Sequence, residues 1–213
     1  MGQERPAEAM ASSNSEVELL KRARHGDPQA AERLLTSHRD KLQRMVRARM
    51  DSRLSARLDP SDVVQEALME ANRRLPAFLD KNDDLFYPWL RAIVWERLVQ
   101  LNRQHLGARK RSVHREVGFH LPDASATELS RQLAASISSP SRVAVRKELQ
   151  QRVQQGLEML QASDKEILLL RHLEQLSMDE VAAVLGITLA AAQSRYRRAL
   201  ERLHDLLGDE SMQ

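Results

Sequence analysis

Residues 177–203 read SMDEVAAVLGITLAAAQSRYRRALERL, and this stretch carries the strongest fold signal in the chain. Ser177 and Glu180 stand at the spacing of a capping box, which predicts the start of a short helix. Gly186 predicts the left-handed turn that ends this helix, and Thr188 predicts the cap of the next one. Two helices joined by so tight a turn predict a helix-turn-helix.

The second of these helices has two contrasting faces. Small and apolar side chains form one predicted inward stripe, namely Ala192, Tyr196, Ala199, Leu200 and Leu203. Arginines follow the other face at steps of three and four, namely Arg195, Arg198 and Arg202. Such a helix can enter the major groove of DNA with its arginines near bases or phosphates. The same shape also serves as a plain packing unit, so two interpretations stand at this point.

Helical periodicity covers most of the 213 residues, and no stretch alternates with the period of two that marks a half-buried strand. Asp-Pro pairs at 27–28 and 59–60 predict helix starts, because aspartate caps a helix and proline fits its first turn. A second capping box, Ser163 to Glu166, predicts another start. Further helices are predicted over 17–23, 28–50, 60–75 and 88–101. We therefore expect an all-α fold.

Residues 112–141 interrupt this pattern. They contain seven serines and two prolines and show no long apolar stripe, which is typical of a flexible linker. The sequence thus predicts two small helical domains, residues 16–111 and the helix-turn-helix domain 142–208. Short tails, 1–15 and 209–213, complete the expected organisation.

Charge is distributed unevenly along the chain. Residues 39–111 hold 16 basic and 10 acidic side chains, a net of +6, whereas residues 142–213 hold 10 and 11, a net of −1. Local basic patches indicate contact with a polyanion, although solvated helix faces explain them equally well. The predicted helix 60–75 adds an acidic and amide-bearing face, with Asp62, Gln65, Glu66 and Glu70 at steps of three and four. Such a face suits either a basic protein surface or water.

Five of the seven aromatic residues lie within 78–95, namely Phe78, Phe86, Tyr87, Trp89 and Trp95. Aromatic faces near arginines can stack unpaired bases, worth ~1–3 kcal/mol per base. The alternative is a small core built around two tryptophans. We expect some of these rings to be buried and others exposed.

Several classes of protein are disfavoured by composition. The chain has no cysteine, which excludes disulfides and thiolate metal sites and fits a reducing cytosol. Its histidines are scattered, and no glycine-rich phosphate loop or nucleophile triad is present, so we expect neither a metal, a cofactor nor an enzyme. No apolar run approaches the ~20 residues of a membrane span, and the first residues lack a secretion signal. A cytoplasmic protein is expected.

An ordered set of motifs resembles a bacterial RNA polymerase sigma factor of the extracytoplasmic-function (ECF) group. The motifs are DVVQE at 62–66, FYPWL at 86–90, EILLLRH at 166–172, LSMDEVA at 176–182 and SRYRRAL at 194–200. The resemblance implies that the chain binds core RNA polymerase and promoter DNA and promotes initiation of transcription. Regulation by an anti-sigma protein is common in the family, which implies a further partner.

The resemblance also assigns residues to each partner. Core polymerase would be bound by Asp62, Gln65 and Glu66. The minus-ten promoter element would be bound by Phe78, Phe86, Trp89, Arg91, Arg97 and Arg103. The minus-thirty-five element would be bound by Thr188, Gln193, Ser194, Arg195, Arg197 and Arg198.

One position and two short segments depart from the family pattern. Glu96 stands where many members have a neutral amide, and its charge would repel phosphate. Residues 190–193 read AAAQ where GTVK is common, which removes a hydroxyl and a cation. The segment 79–85 is acidic for a strand-capture loop, with Asp80, Asp83 and Asp84.

Two rival functions remain open from the sequence. A stand-alone helix-turn-helix regulator would need two-fold symmetry to build affinity, and it leaves the aromatic cluster and the acidic face without a role. A helical interaction module would show no salt-dependent affinity for DNA.

Overall fold

A computed structural model of the chain describes residues 6–81, 85–106, 122–137 and 143–209, and these residues form helices and no strand. The expected all-α class is therefore confirmed. The helices in chain order are α1 (Pro6–Arg24), α2 (Pro28–Ser37), α3 (Arg39–Arg49), α4 (Ser52–Ser55), α5 (Pro60–Leu79), α6 (Phe86–Leu106), α7 (Asp123–Ile137), α8 (Val143–Met159), α9 (Ala162–His172), α10 (Met178–Leu185) and α11 (Leu189–Asp209).

Helices α1 to α6 form an N-terminal unit around α5, which packs against α1, α2, α3 and α6. The two Asp-Pro helix starts are confirmed. Asp27 Oδ1 accepts a hydrogen bond from the backbone N–H of Gln29 at 2.9 Å, and Asp59 Oδ1 accepts one from Ser61 at 2.7 Å. The predicted inward stripe of α5 is buried, namely Val63, Val64, Ala67, Leu68 and Ala71.

The predicted helix 28–50 is two helices, because the chain turns at His38. The hydroxyls of Thr36 and Ser37 donate to carbonyls of the preceding turn, which competes with continuation of the helix. The His38 ring is buried, with its centroid 5.6 Å from that of Phe86 and 5.4 Å from that of Tyr87. The turn thereby docks α2 and α3 onto the start of α6.

Helices α7 to α11 form a C-terminal unit. Helices α8 and α9 both pack against α11, and α10 packs against α9 and α11. A Cβ added at Gly156 would lie 2.9 Å from Leu203 Cδ1, so the glycine permits the close approach of α8 and α11. None of the described helices of either unit is both long and apolar enough to cross a bilayer.

Two segments expected to be irregular are helical. Helix α1 begins at Pro6, within the expected tail 1–15, because nothing between Pro6 and Gly26 breaks a helix and proline is tolerated at its first position. Helix α7 lies within the expected linker 112–141 and packs against α8 and α9. Its Leu129, Leu133 and Ala134 are buried at helical spacing. The linker prediction is therefore wrong over α7, while 112–121 and 138–141 lie outside the described residues.

The two units also contact each other. Helix α10 packs against α6, and the buried apolar residues of both units belong to one continuous cluster. Charged side chains join α3 and α6 of the N-terminal unit to the segment from α9 to α10. The sequence predicted two domains without indicating this contact.

Candidate nucleic-acid interface

The helix-turn-helix predicted at 177–203 is present as α10 and α11. Ser177 Oγ accepts from the N–H of Glu180 at 3.2 Å, and Glu180 Oε2 accepts from the N–H of Ser177 at 2.8 Å, which completes the predicted capping box. Gly186 has a φ of 64°, and no atom lies within 4 Å of the place where a Cβ would stand. Backbone conformation alone therefore favours glycine at this turn.

Helix α11 presents its N-terminal half to solvent. Thr188 Oγ1 accepts from the N–H of Ala191 at 3.2 Å and caps the helix as predicted. The side chains that anchor it are Ala192, Ala199 and Leu203, all buried as predicted. The proposed DNA contacts lie on the remaining surface: Thr188, Gln193, Arg197 and Arg198 are exposed, whereas Ser194 and Arg195 are half-buried. The side chain of Arg197 is 73% exposed, so it is available to a phosphate.

Two contacts that the sequence did not indicate fix the orientation of α11. Arg202 Nη1 lies 2.5 Å from Oδ2 of Asp164, whose side chain is buried at the start of α9. Arg202 thus braces α11 against α9, although its side chain remains 49% exposed as expected for an outward arginine. The Tyr196 hydroxyl lies 3.1 Å from His172 Nε2 at the end of α9. Both pairs join residues at least 24 positions apart in the sequence, and helical periodicity does not predict contacts between residues so far apart.

The acidic face predicted on α5 is exposed. Asp62, Gln65 and Glu66 all reach solvent on one side of the helix. Glu66 Oε2 accepts from Arg97 Nε of α6 at 2.8 Å, which joins a residue assigned to polymerase to one assigned to DNA. The side chain of Glu66 nevertheless remains 54% exposed.

Glu96, a departure from the family pattern, has a partner in the structure. Its Oε2 lies 3.0 Å from Arg74 Nη1, and Arg74 also donates to Glu70 at 2.8 Å. Glu70 and Arg74 stabilise each other in their charged forms. The pKa of the Glu70 carboxyl is lowered and that of the Arg74 guanidinium is raised. The charge of Glu96 is thus opposed by a cation before any DNA approaches.

Three of the clustered aromatic residues, Phe78, Phe86 and Trp89, form one packed group. The Phe78 and Trp89 rings stack with centroids 4.5 Å apart, and Phe86 meets Trp89 at 5.5 Å. Phe78, Phe86 and Tyr87 are buried, whereas Trp89 and Trp95 are half-buried. The core interpretation therefore accounts for three of these rings, whereas Trp89 and Trp95 remain partly accessible.

The three arginines assigned to the minus-ten element lie in different surroundings. Arg103 is exposed, and Arg97 bonds to Glu66. Arg91 is only 13% exposed, and it binds Glu174 of the C-terminal unit with Nη2 to Oε1 at 3.0 Å. The structure therefore does not bring these arginines together into one basic patch.

The geometry yields two exposed surfaces of opposite character. One is the acidic and amide-bearing α5 face, defined by Asp62, Gln65 and Glu66. The other is the arginine-bearing α11 face, defined by Thr188, Gln193, Arg197 and Arg198. An acidic face repels DNA and attracts basic protein surfaces, whereas a capped helix with arginines suits a duplex.

Comparison with known proteins identifies the family of the chain. The family described as "Sigma-70, region 4" matches residues 150–203, which cover part of α8, all of α9 and α10, and α11 as far as Leu203. The "RNA polymerase sigma-H factor" of Pseudomonas aeruginosa is 28% identical over 205 residues, 93% of this chain and 96% of the relative. The "ECF RNA polymerase sigma-E factor" of Escherichia coli (strain K12) is 30% identical over 189 residues, 87% of this chain and 90% of the relative. That of Salmonella typhimurium (strain LT2) has the same identity and coverage. The chain therefore belongs to the ECF family of RNA polymerase sigma factors, the alternative sigma factors of transcription initiation.

Proposed function

We propose that this sigma factor binds core RNA polymerase through the α5 face and promoter DNA through α6 and the α11 face. The observation that carries this proposal is the exposure, in one chain, of two surfaces of opposite character on different units. Asp62, Gln65 and Glu66 meet the polymerase. The α11 face, together with Ser194 and Arg195, meets the minus-thirty-five element.

The minus-ten element is bound at the aromatic cluster. Phe78 and Phe86 form the floor from within the core, and Trp89 supports an unstacked base at the edge. Unstacking a base costs only a few kcal/mol, which a stacking contact of ~1–3 kcal/mol helps to offset. Arg103 meets the DNA backbone, and Arg91 and Arg97 do so once they are released from Glu174 and Glu66.

In this proposal the polymerase performs the chemistry, and the chain acts in the cytoplasm without a cofactor. The test is transcription by purified chain plus core polymerase on a library of genomic fragments, with the 5′ ends of transcripts mapped. We expect defined start sites that share upstream sequences. Failure on every fragment contradicts the proposal, and a palindromic footprint without polymerase supports a stand-alone regulator. Copurification from source cells tests for an anti-sigma partner.

A further inference from the structure

A buried cluster of charges lies where the two units meet. Glu174 follows α9, and its side chain is 0% exposed. Its Oε1 lies 2.7 Å from Arg49 Nε and 3.0 Å from Arg91 Nη2, and its Oε2 lies 3.1 Å from Arg91 Nε. Glu166 Oε1 accepts from Arg49 Nη2 at 2.6 Å. Two cations of the N-terminal unit thus face two anions of the C-terminal unit, and we call these four residues the Glu174 cluster.

The charged side chains of the cluster stabilise one another's ionised forms. Burial opposes ionisation of Glu174, but Arg49 and Arg91 outweigh it and lower the pKa of the carboxyl. Burial likewise opposes the charge of Arg49, but Glu174 and Glu166 outweigh it and raise the pKa of the guanidinium. Removing one partner therefore leaves an uncompensated charge in a dry site, which is strongly unfavourable.

The backbone beside Glu174 is shaped for the same contact. Arg44 Nε donates to the carbonyl oxygen of Glu174 at 3.2 Å, so three arginines of the N-terminal unit converge on one residue. The next residue, Gln175, has a φ of 58°, a left-handed conformation that is uncommon outside glycine and asparagine. The turn between α9 and α10 therefore contains a strained residue next to Glu174, which lies between α3 and α6.

A second ion pair marks the rim of the contact. Lys41 Nζ of α3 pairs with Glu180 Oε1 of α10, and it lies 5.9 Å from the centre of the Tyr87 ring. Arg49 similarly lies 5.4 Å from the centre of the Trp95 ring. The cations come from the N-terminal unit and the anions from the C-terminal unit in every pair across this junction that the described residues show.

This arrangement conflicts with the promoter-bound state. Arg91, which the proposed function places at the DNA backbone, is covered and neutralised by Glu174. Helix α10, half of the helix-turn-helix, packs against α6, the helix that carries Arg91. A carboxylate and a phosphate offer arginine the same planar pair of acceptor oxygens. Glu174 therefore gives Arg91 the pair of acceptor oxygens that a phosphate would otherwise supply.

We propose that the Glu174 cluster is an intramolecular latch that holds the free chain closed and lowers its affinity for promoter DNA. This inference rests on the proposed function. The latch is suited to reversal, since an ion pair between units gains little net free energy after desolvation and its arginines regain partners on the phosphates of DNA. Relative motion of two domains is the ordinary expectation when charged pairs such as these contribute to their contact.

The test measures the separation of the two units by energy transfer between two dyes. The chain has no cysteine, so Ala56→Cys near α4 and Gln155→Cys in α8 accept the dyes at two exposed positions. In this background Glu174→Gln keeps the size of the side chain and removes its charge. The matched control is Glu128→Gln, which removes an exposed carboxylate that pairs with Arg131 inside α7.

We expect Glu174→Gln to lower energy transfer and to shift the ratio of closed to open chains by roughly 100-fold, while the control stays at the wild-type value. Apparent affinity scales with the competent fraction, so affinity for a promoter duplex should rise by up to about the same factor. Unchanged energy transfer overturns the latch. Opening without a gain in affinity for the duplex, in a chain that still binds polymerase, overturns its inhibitory role.

A second variant covers the case in which Glu174→Gln fails to fold, as judged by circular dichroism. Lys41→Gln breaks the rim pair and leaves the capping box of α10 intact. It should open the chain in the same direction, and no opening overturns the latch. A chain that opens on substitution but binds neither polymerase nor promoter in any form refutes the proposed function instead.

Discussion

The hydroxyl oxygen of Tyr196 lies 3.1 Å from Nε2 of His172, so α11 is tied to α9 through an imidazole. Burial, aided by the neighbouring charge of Arg171, lowers the pKa of His172 from 6.5 to about 4. The imidazole is therefore neutral at physiological pH, and its burial opposes protonation.

Because burial lowers the pKa of His172, we expect the protein to lose stability in acid. Between pH 6.5 and about 4 the unfolded chain binds more protons at His172 than the folded chain, so the free energy of unfolding falls as the pH falls. We expect wild type to lose roughly 1–3 kcal/mol more than His172→Gln over this range. Urea unfolding at a series of pH values measures the difference, and parallel curves for the two chains would contradict it.

The two Ser-x-x-Glu sequences predict different responses to the same substitution. Ser177→Ala removes the acceptor for the Glu180 N–H and should cost about 1 kcal/mol of unfolding free energy. Ser163→Ala is the control and should be nearly neutral, because Gln161 is the cap position of α9 and Glu166 bonds to Arg49 instead. Urea unfolding of the full chain compares the two, and equal losses would be inconsistent with this difference.

Gly186 and Gly208 form a second matched pair. Neither has an atom within 4 Å of a built Cβ, but only Gly186 has a positive φ. Gly186→Ala should therefore cost about 1–2 kcal/mol through backbone strain alone. Gly208→Ala lies in α11 and should be neutral or stabilising by up to about 1 kcal/mol. Thermal unfolding of the two variants measures the difference. Equal losses would contradict backbone strain as the cause, since neither added methyl group meets another atom.

The two proposed surfaces should be separable by mutation. Asp62→Ala combined with Gln65→Ala should weaken binding to core polymerase by roughly tenfold and leave the affinity for promoter duplex unchanged. Arg198→Ala should do the reverse, and it should reduce the salt slope of DNA binding by about 1. Fluorescence anisotropy with each partner measures both affinities. Loss of both affinities in the α5 variant would count against the assignment.

The features that could be predicted correctly from the sequence are those with local causes. The caps at Asp27, Asp59 and Ser177 and the turn at Gly186 each depend on a few neighbouring residues, and all are present. The box at Ser163 is absent because α9 begins at Ala162, which places Ser163 inside the helix, and Glu166 bonds instead to Arg49, 117 positions away. Local pattern cannot reveal such a competitor.

The site was less predictable than the fold. Composition could not decide which aromatic rings serve the core, since Phe78 and Trp89 have the same sequence signature yet differ in burial. The pairs Asp164–Arg202 and Arg91–Glu174 depend on how helices cross, which periodicity does not specify. Helix α7 was missed because its apolar stripe is short and lies among serines.

Helix α7 also limits how far apart the N-terminal and C-terminal units can lie. Because α7 packs with α8 and α9, the covalent connection between the units runs only from Leu106 to Pro122, not across the 30 residues of 112–141. A chain of that length spans at most roughly 55 Å when drawn out fully. Under the proposed function, α7 therefore limits the spacing between two promoter elements that one molecule can bind at once. Binding to both elements should fall sharply when the promoter spacer is lengthened beyond this limit.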